Sequence, residues 1–168
     1  MKYIFLLRHG HAPRIGTETD KDRQLSSLGL KEIGEVATFL KEREYPEIII
    51  ASDAVRTRQS AEQFCRAAGY KPMCRFTSEL YNCSSDDIIH VIESCENSYD
   101  RLMIVGHNPG ITGVIDYFPN TRSERSLEVN SRNYDPTAKL VLLKANLLSW
   151  QELPKAKWEI DAVFWPGL

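Results

Sequence analysis

Tyr3-Ile4-Phe5-Leu6-Leu7-Arg8-His9-Gly10 (YIFLLRHG, residues 3–10) is the stretch on which the reading of this chain turns. Five apolar residues in a row, bounded by charge, fit a strand buried on both faces of a parallel sheet. The run stops at a guanidinium, an imidazole and a residue with no side chain. In open α/β sheets, ligands bind outside the carboxyl ends of the strands. A cation beside a histidine, followed by glycine, suits an anionic group that must come close. Alone the tripeptide is weak, since many strands end in polar residues, and its meaning depends on partners elsewhere.

Working outward, strand and helix signals alternate. Residues 2–8 are the first strand, and a polar loop, 12–27, follows. Residues 28–43 carry Leu30, Ile33, Val36, Ala37 and Leu40 on one helical stripe, with Ser26 or Ser27 as the cap. Glu47 to Ala51 (EIIIA) reads as a short buried strand, and 54–68 as a helix ended by Gly69. Residues 71–76 form a strand whose place in a sheet Pro72 restricts. Ser84 and Asp87 have capping-box spacing and introduce a helix over 86–95. Leu102 to Val105 (LMIV) is the next buried strand, and Pro109 fits the start of a helix reaching Tyr117. The segment 118–137 reads as a polar surface loop. Residues 138–145 and 157–164 then predict a closing antiparallel strand pair. The expected fold is α/β: three αβα layers around a central, mostly parallel mixed sheet, forming a single domain over residues 1–168.

The bulk properties narrow the function. The chain has 168 residues and a net charge of −2, so no global field favours nucleic acid or an anionic membrane. Any attraction for an anion is local. The opening apolar run is too short for a signal peptide, and none approaches the length needed to span a bilayer. Cys65, Cys74, Cys83 and Cys95 show no C-x-x-C spacing and read as reduced thiols of a cytoplasmic protein.

Three segments that end buried strands carry chemistry suited to phosphate. They are Arg8-His9-Gly10, Ser52-Asp53-Ala54-Val55-Arg56 and Gly106-His107-Asn108. If the strands are parallel, all three emerge at one edge of the sheet, gathering two arginines and two histidines around one point. That joint pattern is far more specific than any of its pieces.

On these residues the chain resembles the histidine phosphatase superfamily, which also contains the phosphoglycerate mutases. The matching segments are LLRHGHA (6–12), ASDAVRTRQSAE (51–62) and IVGHNPG (104–110). Within that group it looks most like the short bacterial phosphohistidine phosphatases of the SixA type, with further likeness in DRQLSSLG (22–29) and SELYNCSSDDII (78–89). The resemblance runs from residue 2 to about residue 118 and is looser beyond. It implies a phosphatase in which His9 attacks phosphorus and carries the phosphoryl group. Arg8 and Arg56 would hold its oxygens, and Gly10 would allow close approach. His107, expected to be protonated, would donate to the charge built up in the transition state.

The resemblance also implies a glutamate as proton donor to an ester oxygen, and Glu79 sits at roughly that place. Asp20 and Asp22 are further candidates if the first loop folds over the site. His11 either touches substrate or lies at the rim. His90 falls mid-helix and reads as a surface or packing residue, and Arg122, Arg125 and Arg132 as a solvated loop. No cofactor and no metal are expected. The substrate is a phosphorylated protein, phosphohistidine foremost, or a small phosphorylated metabolite. A zinc site on His9-Gly10-His11 and a silent phosphate-binding module are the competing classes.

Overall fold

The computed structural model describes residues 1–118 and 136–167. Four strands, β1 (Lys2–Arg8), β2 (Ile48–Ser52), β3 (Met73–Thr77) and β4 (Arg101–Gly106), run parallel in the order β3-β2-β4-β1. β5 (Leu140–Ala145) adds antiparallel to β1, and β6 (Glu159–Phe164) antiparallel to β5 at the edge. This is the mixed sheet expected from the alternation of apolar runs. β3, the strand that follows Pro72, lies at the other edge, where a missing backbone donor does least harm.

Successive side chains of a strand point to opposite faces, and here each face has its own core. Ile4, Leu6, Ile48, Ile50, Leu102 and Ile104 pack into the cluster that holds α3 (Ser85–Glu93) and α4 (Gly110–Tyr117). Phe5, Leu7, Ile49, Ala51, Met103 and Val105 pack into the cluster that holds α1 (Ser27–Leu40) and α2 (Val55–Ala68). Each such side chain, removed from water, contributes about 1.5–3 kcal/mol before chain entropy is subtracted. The central strands are apolar between their polar ends because both of their faces are covered.

The helices start and stop on the signals in the sequence, with small corrections. Ser26 caps α1 by accepting the Gly29 N–H at 3.2 Å. Ser84 and Asp87 form a complete capping box on α3. Gly69 ends α2 in the left-handed conformation at φ 62°. α1 ends at Leu40 rather than Arg43, because Leu40 is its last buried residue and the next residues, 41–44, are exposed. α3 covers 85–93 instead of 86–95. Pro109 caps α4 instead of opening it. The outer strands begin two residues later than expected, at Met73, Leu140 and Glu159.

The first polar loop is less open than its composition indicates. It contains a 3-10 turn at Asp20–Asp22 and lies across the carboxyl ends of the parallel strands. Arg122, Arg125 and Arg132 fall outside the described residues, as does most of the expected 118–137 loop.

Candidate active site

His9 follows β1, Arg56 lies in the first turn of α2 after β2, and His107 follows β4. Parallel strand order brings these three sequence-distant points to one edge of the sheet. All three side chains are buried, with 7 %, 3 % and 6 % of their residue surface exposed. α2 shows the consequence in its own composition, since its inward face carries Arg56, Thr57 and Ser60 ahead of Ala61 and Phe64. A helix that buries polar residues at its first turns is positioning them.

Arg56 organises the centre. Its Nε donates to His9 Nε2 at 3.2 Å, and its Nη2 donates to His107 Nδ1 at 3.2 Å. A guanidinium can only donate, so both ring nitrogens are acceptors and carry no proton. The protons therefore sit on the other nitrogens. His9 Nδ1 donates to the Gly10 carbonyl at 2.8 Å, and His107 Nε2 donates to Ser52 Oγ at 2.9 Å. The two rings lie 5.2 Å apart, tilted by 59°.

Both imidazoles are neutral. Burial pushes His9 down to about 3, with the charges around it, including Arg56 and Arg8, acting the same way against the opposing Gly10 hydrogen bond. Burial and then the Arg56 charge push His107 down to about 4, and Asp20 only partly offsets them. This corrects the expectation of a protonated His107. Without a phosphate beside it, the buried ring gains too little from Asp20 to hold a second proton next to a guanidinium.

Asp20 covers the outer side of Arg56. Its backbone carbonyl accepts Arg56 Nη1 at 2.6 Å, and its carboxylate accepts Arg56 Nη2 at 3.1 Å. The same carboxylate accepts Arg23 Nη1 at 2.8 Å and the Tyr81 hydroxyl at 2.8 Å. These donors, Arg23 first and Tyr81 next, hold Asp20 well below the usual carboxylate range, so it is ionised. Asp20 is therefore a poor source of a proton for a leaving group. Lys21 pairs with Asp53 at 2.7 Å and lies over the Tyr81 ring, which fastens the loop across the site. Tyr81 also sets its ring edge-on to His107 at 5.5 Å.

The remaining expected residues fall at different distances from this centre. Arg8 ends β1 and lines a small crevice with Asn108, Thr112 and Lys139, and its charge acts on both imidazoles. Gly10 donates its N–H to Ser60 Oγ, and a Cβ at Gly10 would stand 2.7 Å from the Gly29 carbonyl oxygen. The imidazole of His11 turns to Ser26 Oγ at 2.8 Å, joining the cap of α1 instead of the His9–Arg56–His107 group. The two rings of His9-Gly10-His11 thus diverge, and His9 Nε2 faces a cation. Among the described residues, no cluster of three or more metal-ligating side chains forms. Glu79 lies in a short 3-10 turn after β3 and is exposed, and among the described residues its carboxylate makes no hydrogen bond to His9, Arg56 or His107. Asp22 is exposed and accepts the Thr19 hydroxyl.

Ser52, Tyr81, Lys21 and Arg23 had no role in the expectations from sequence, although Ser52 opens one of the three strand-end segments. Ser52 was the most findable, as a hydroxyl closing the apolar run EIIIA. Arg23 lies inside DRQLSSLG, where the spacing alone says nothing of its reach to Asp20 and the Ala12 carbonyl.

A model of the histidine phosphatase superfamily (branch 1) matches residues 4–87, half of the chain. The chain belongs to this superfamily and is a phosphatase by class. Solved structures extend the likeness over the whole length. A protein of Agrobacterium tumefaciens assigned as the phosphohistidine phosphatase SixA superposes with a TM-score of 0.81 at 25% identity, covering 98% of each chain. One of Nakamurella multipartitia, assigned likewise, gives 0.79 at 22% identity over 99% of this chain and 97% of the other. A mycobacterial glucosyl-3-phosphoglycerate phosphatase gives 0.63 at 15% identity over 96% and 98%. The latter two are similar in fold. No curated protein sequence matches the chain. Among the described residues, no helix is long and apolar enough to cross a membrane.

Proposed function

We propose that the protein hydrolyses phosphohistidine on a protein substrate, passing the phosphoryl group through His9. The observation that carries this reading is the state of His9. Its Nδ1–H is fixed on the Gly10 carbonyl, and its Nε2 lone pair is free of a proton. With its pKa near 3, His9 carries no proton on Nε2 at neutral pH and needs no base to remove one, and the Arg56 Nε–H that Nε2 accepts passes to a phosphoryl oxygen as the ring attacks.

The surrounding charges suit the transfer. The phosphoryl oxygens displace the Asp20 carboxylate from Arg56 Nη2 and take charge-assisted bonds from Arg56 and Arg8. His107 keeps its Nε2–H on Ser52, and an arriving phosphate dianion raises its affinity for a second proton on Nδ1, the atom that accepts Arg56 Nη2 in the free site. Water then attacks phosphohistidine-9 and regenerates the imidazole. These groups supply the positive charge that phosphoryl transfer requires.

The site's carboxylates favour a P–N over a P–O substrate. An ester oxygen needs a proton as it leaves, yet Asp20 is ionised and Glu79 stands exposed without a bond to the site. A leaving imidazole can take its proton from solvent. The SixA relatives point the same way. A second reading, a small-molecule phosphomonoesterase on the same residues, draws on the likeness to the glucosyl-3-phosphoglycerate phosphatase. It requires Glu79 to swing inward.

A rapid-quench experiment with a phosphohistidine-bearing domain tests the proposal. Phosphate release should pass through an enzyme-bound phosphate that is labile in acid and stable in alkali. His9→Ala should lose both, with turnover down by about a thousand-fold or more. Unchanged hydrolysis in His9→Ala would overturn the nucleophile. Faster turnover of small esters, abolished by Glu79→Gln, would favour the second reading.

A further inference from the structure

Away from the catalytic edge, two thiols share a cavity. Cys65 lies in the last turns of α2, and Cys74 is the second residue of β3, opposite Ile49 of β2. Ile49 faces the α2 side of the sheet, and both cysteines pack, half-buried, against that same apolar cluster. They line a cavity of about 470 Å³ together with Glu62, Arg66, Lys71 and Phe76. The cavity opens beside the Gly69 turn, whose residues are exposed, so a small oxidant reaches both sulfurs from solvent. The neighbouring Cys65 thiol and the Lys71 charge draw Cys74 below the ordinary thiol range against its burial, and Cys74 Sγ lies 3.7 Å from the Pro72 carbonyl oxygen. Cys83 and Cys95 sit with the opposite core, and burial pushes their thiols up.

We propose that Cys65 and Cys74 form a peroxide-oxidisable dithiol site, with Cys74 the attacking sulfur and Cys65 the resolving one. The Cys74 thiolate attacks one oxygen of hydrogen peroxide. An S–O bond forms, the O–O bond breaks, and the departing hydroxide takes a proton to become water. The Cys65 sulfur then attacks the Cys74 sulfenic acid. The S–S bond forms, the S–O bond breaks, and the second hydroxide leaves as water with the Cys65 proton. Two thiols are oxidised by two electrons and one peroxide is reduced to two waters. The product ties the last turns of α2, whose first turn carries Arg56, to the edge strand.

Mass mapping of the reduced full-length protein tests this without any variant. After a few equivalents of hydrogen peroxide and alkylation, non-reducing tryptic digestion should link the peptide 59–66 (QSAEQFCR) to 67–75 (AAGYKPMCR). Alkylatable thiols should fall from four to two, with Cys83 and Cys95 still free. In Cys65→Ser, the Cys74 sulfenic acid should persist and be captured by dimedone. The proposal is overturned if all four thiols stay alkylatable. It is equally overturned if Cys74 advances to the sulfinic acid in the native protein while Cys65 remains free.

Discussion

The proposed chemistry rests on where two protons sit. Arg56 imposes one tautomer on His9 and the opposite one on His107, and its own charge helps keep both rings neutral. Asp20 is the other decisive residue, because its carboxylate occupies Arg56 Nη2. Asp20 is partly exposed, so removing its negative charge favours an incoming anion by roughly 1 kcal/mol, the value for a close pair under water-like screening. Asp20→Asn should therefore tighten competitive inhibition by inorganic phosphate about fivefold. Inhibition constants at fixed pH and ionic strength check this, and weaker inhibition would mean that Asp20 chiefly holds Arg23 and Tyr81 in place.

At the scale of elements, two glycines separate close approach from backbone conformation. A Cβ at Gly29, in the first turn of α1, would stand 2.3 Å from the His11 carbonyl oxygen and 2.8 Å from its nitrogen. Backbone cannot yield there without moving α1 or the chain leaving β1. Gly29→Ala should cost about 2–4 kcal/mol or abolish folding, and should disturb the neighbouring Gly10. At Gly69 a Cβ meets nothing within 4 Å, and only the φ of 62° is at issue. Gly69→Ala should cost about 1 kcal/mol and leave phosphatase activity intact. Urea midpoints of the two variants give the comparison, and equal losses would contradict it.

The whole molecule couples its site to its stability. His9 and His107 ionise near their ordinary value of 6.5 when unfolded, but only near 3 and 4 in the native state. Between those limits the unfolded chain binds more protons, so stability rises with pH and is lost as pH falls below 6.5. At pH 5 each imidazole accounts for about 2 kcal/mol of that loss. The urea stability of the native protein should thus decline between pH 7 and pH 5. His9→Gln should remove about half of the difference, and an unchanged pH slope in that variant would show that His9 does not carry it.

Much of the architecture was legible because its signals are local. An apolar run such as YIFLL or LMIV, covered on both faces, demands a central strand. Ser84 with Asp87 makes a cap, and Gly69 ends a helix, whatever lies beyond. The parallel order then follows from the alternation of elements, and it carries Arg8-His9-Gly10, Arg56 and His107 to one edge. Tertiary structure decided what those residues bond. Arg56 lies 47 residues from His9, 36 from Asp20 and 51 from His107. Hydrogen bonds across such separations depend on the folded positions of several elements at once. The neutral His107, the outward Glu79, the turn of His11 toward Ser26 and the closure of the Asp20 loop are all of that kind. Periodicity and capping act within a few residues and fix the scaffold, whereas protonation and pairing depend on burial and charge that exist only after the chain has folded.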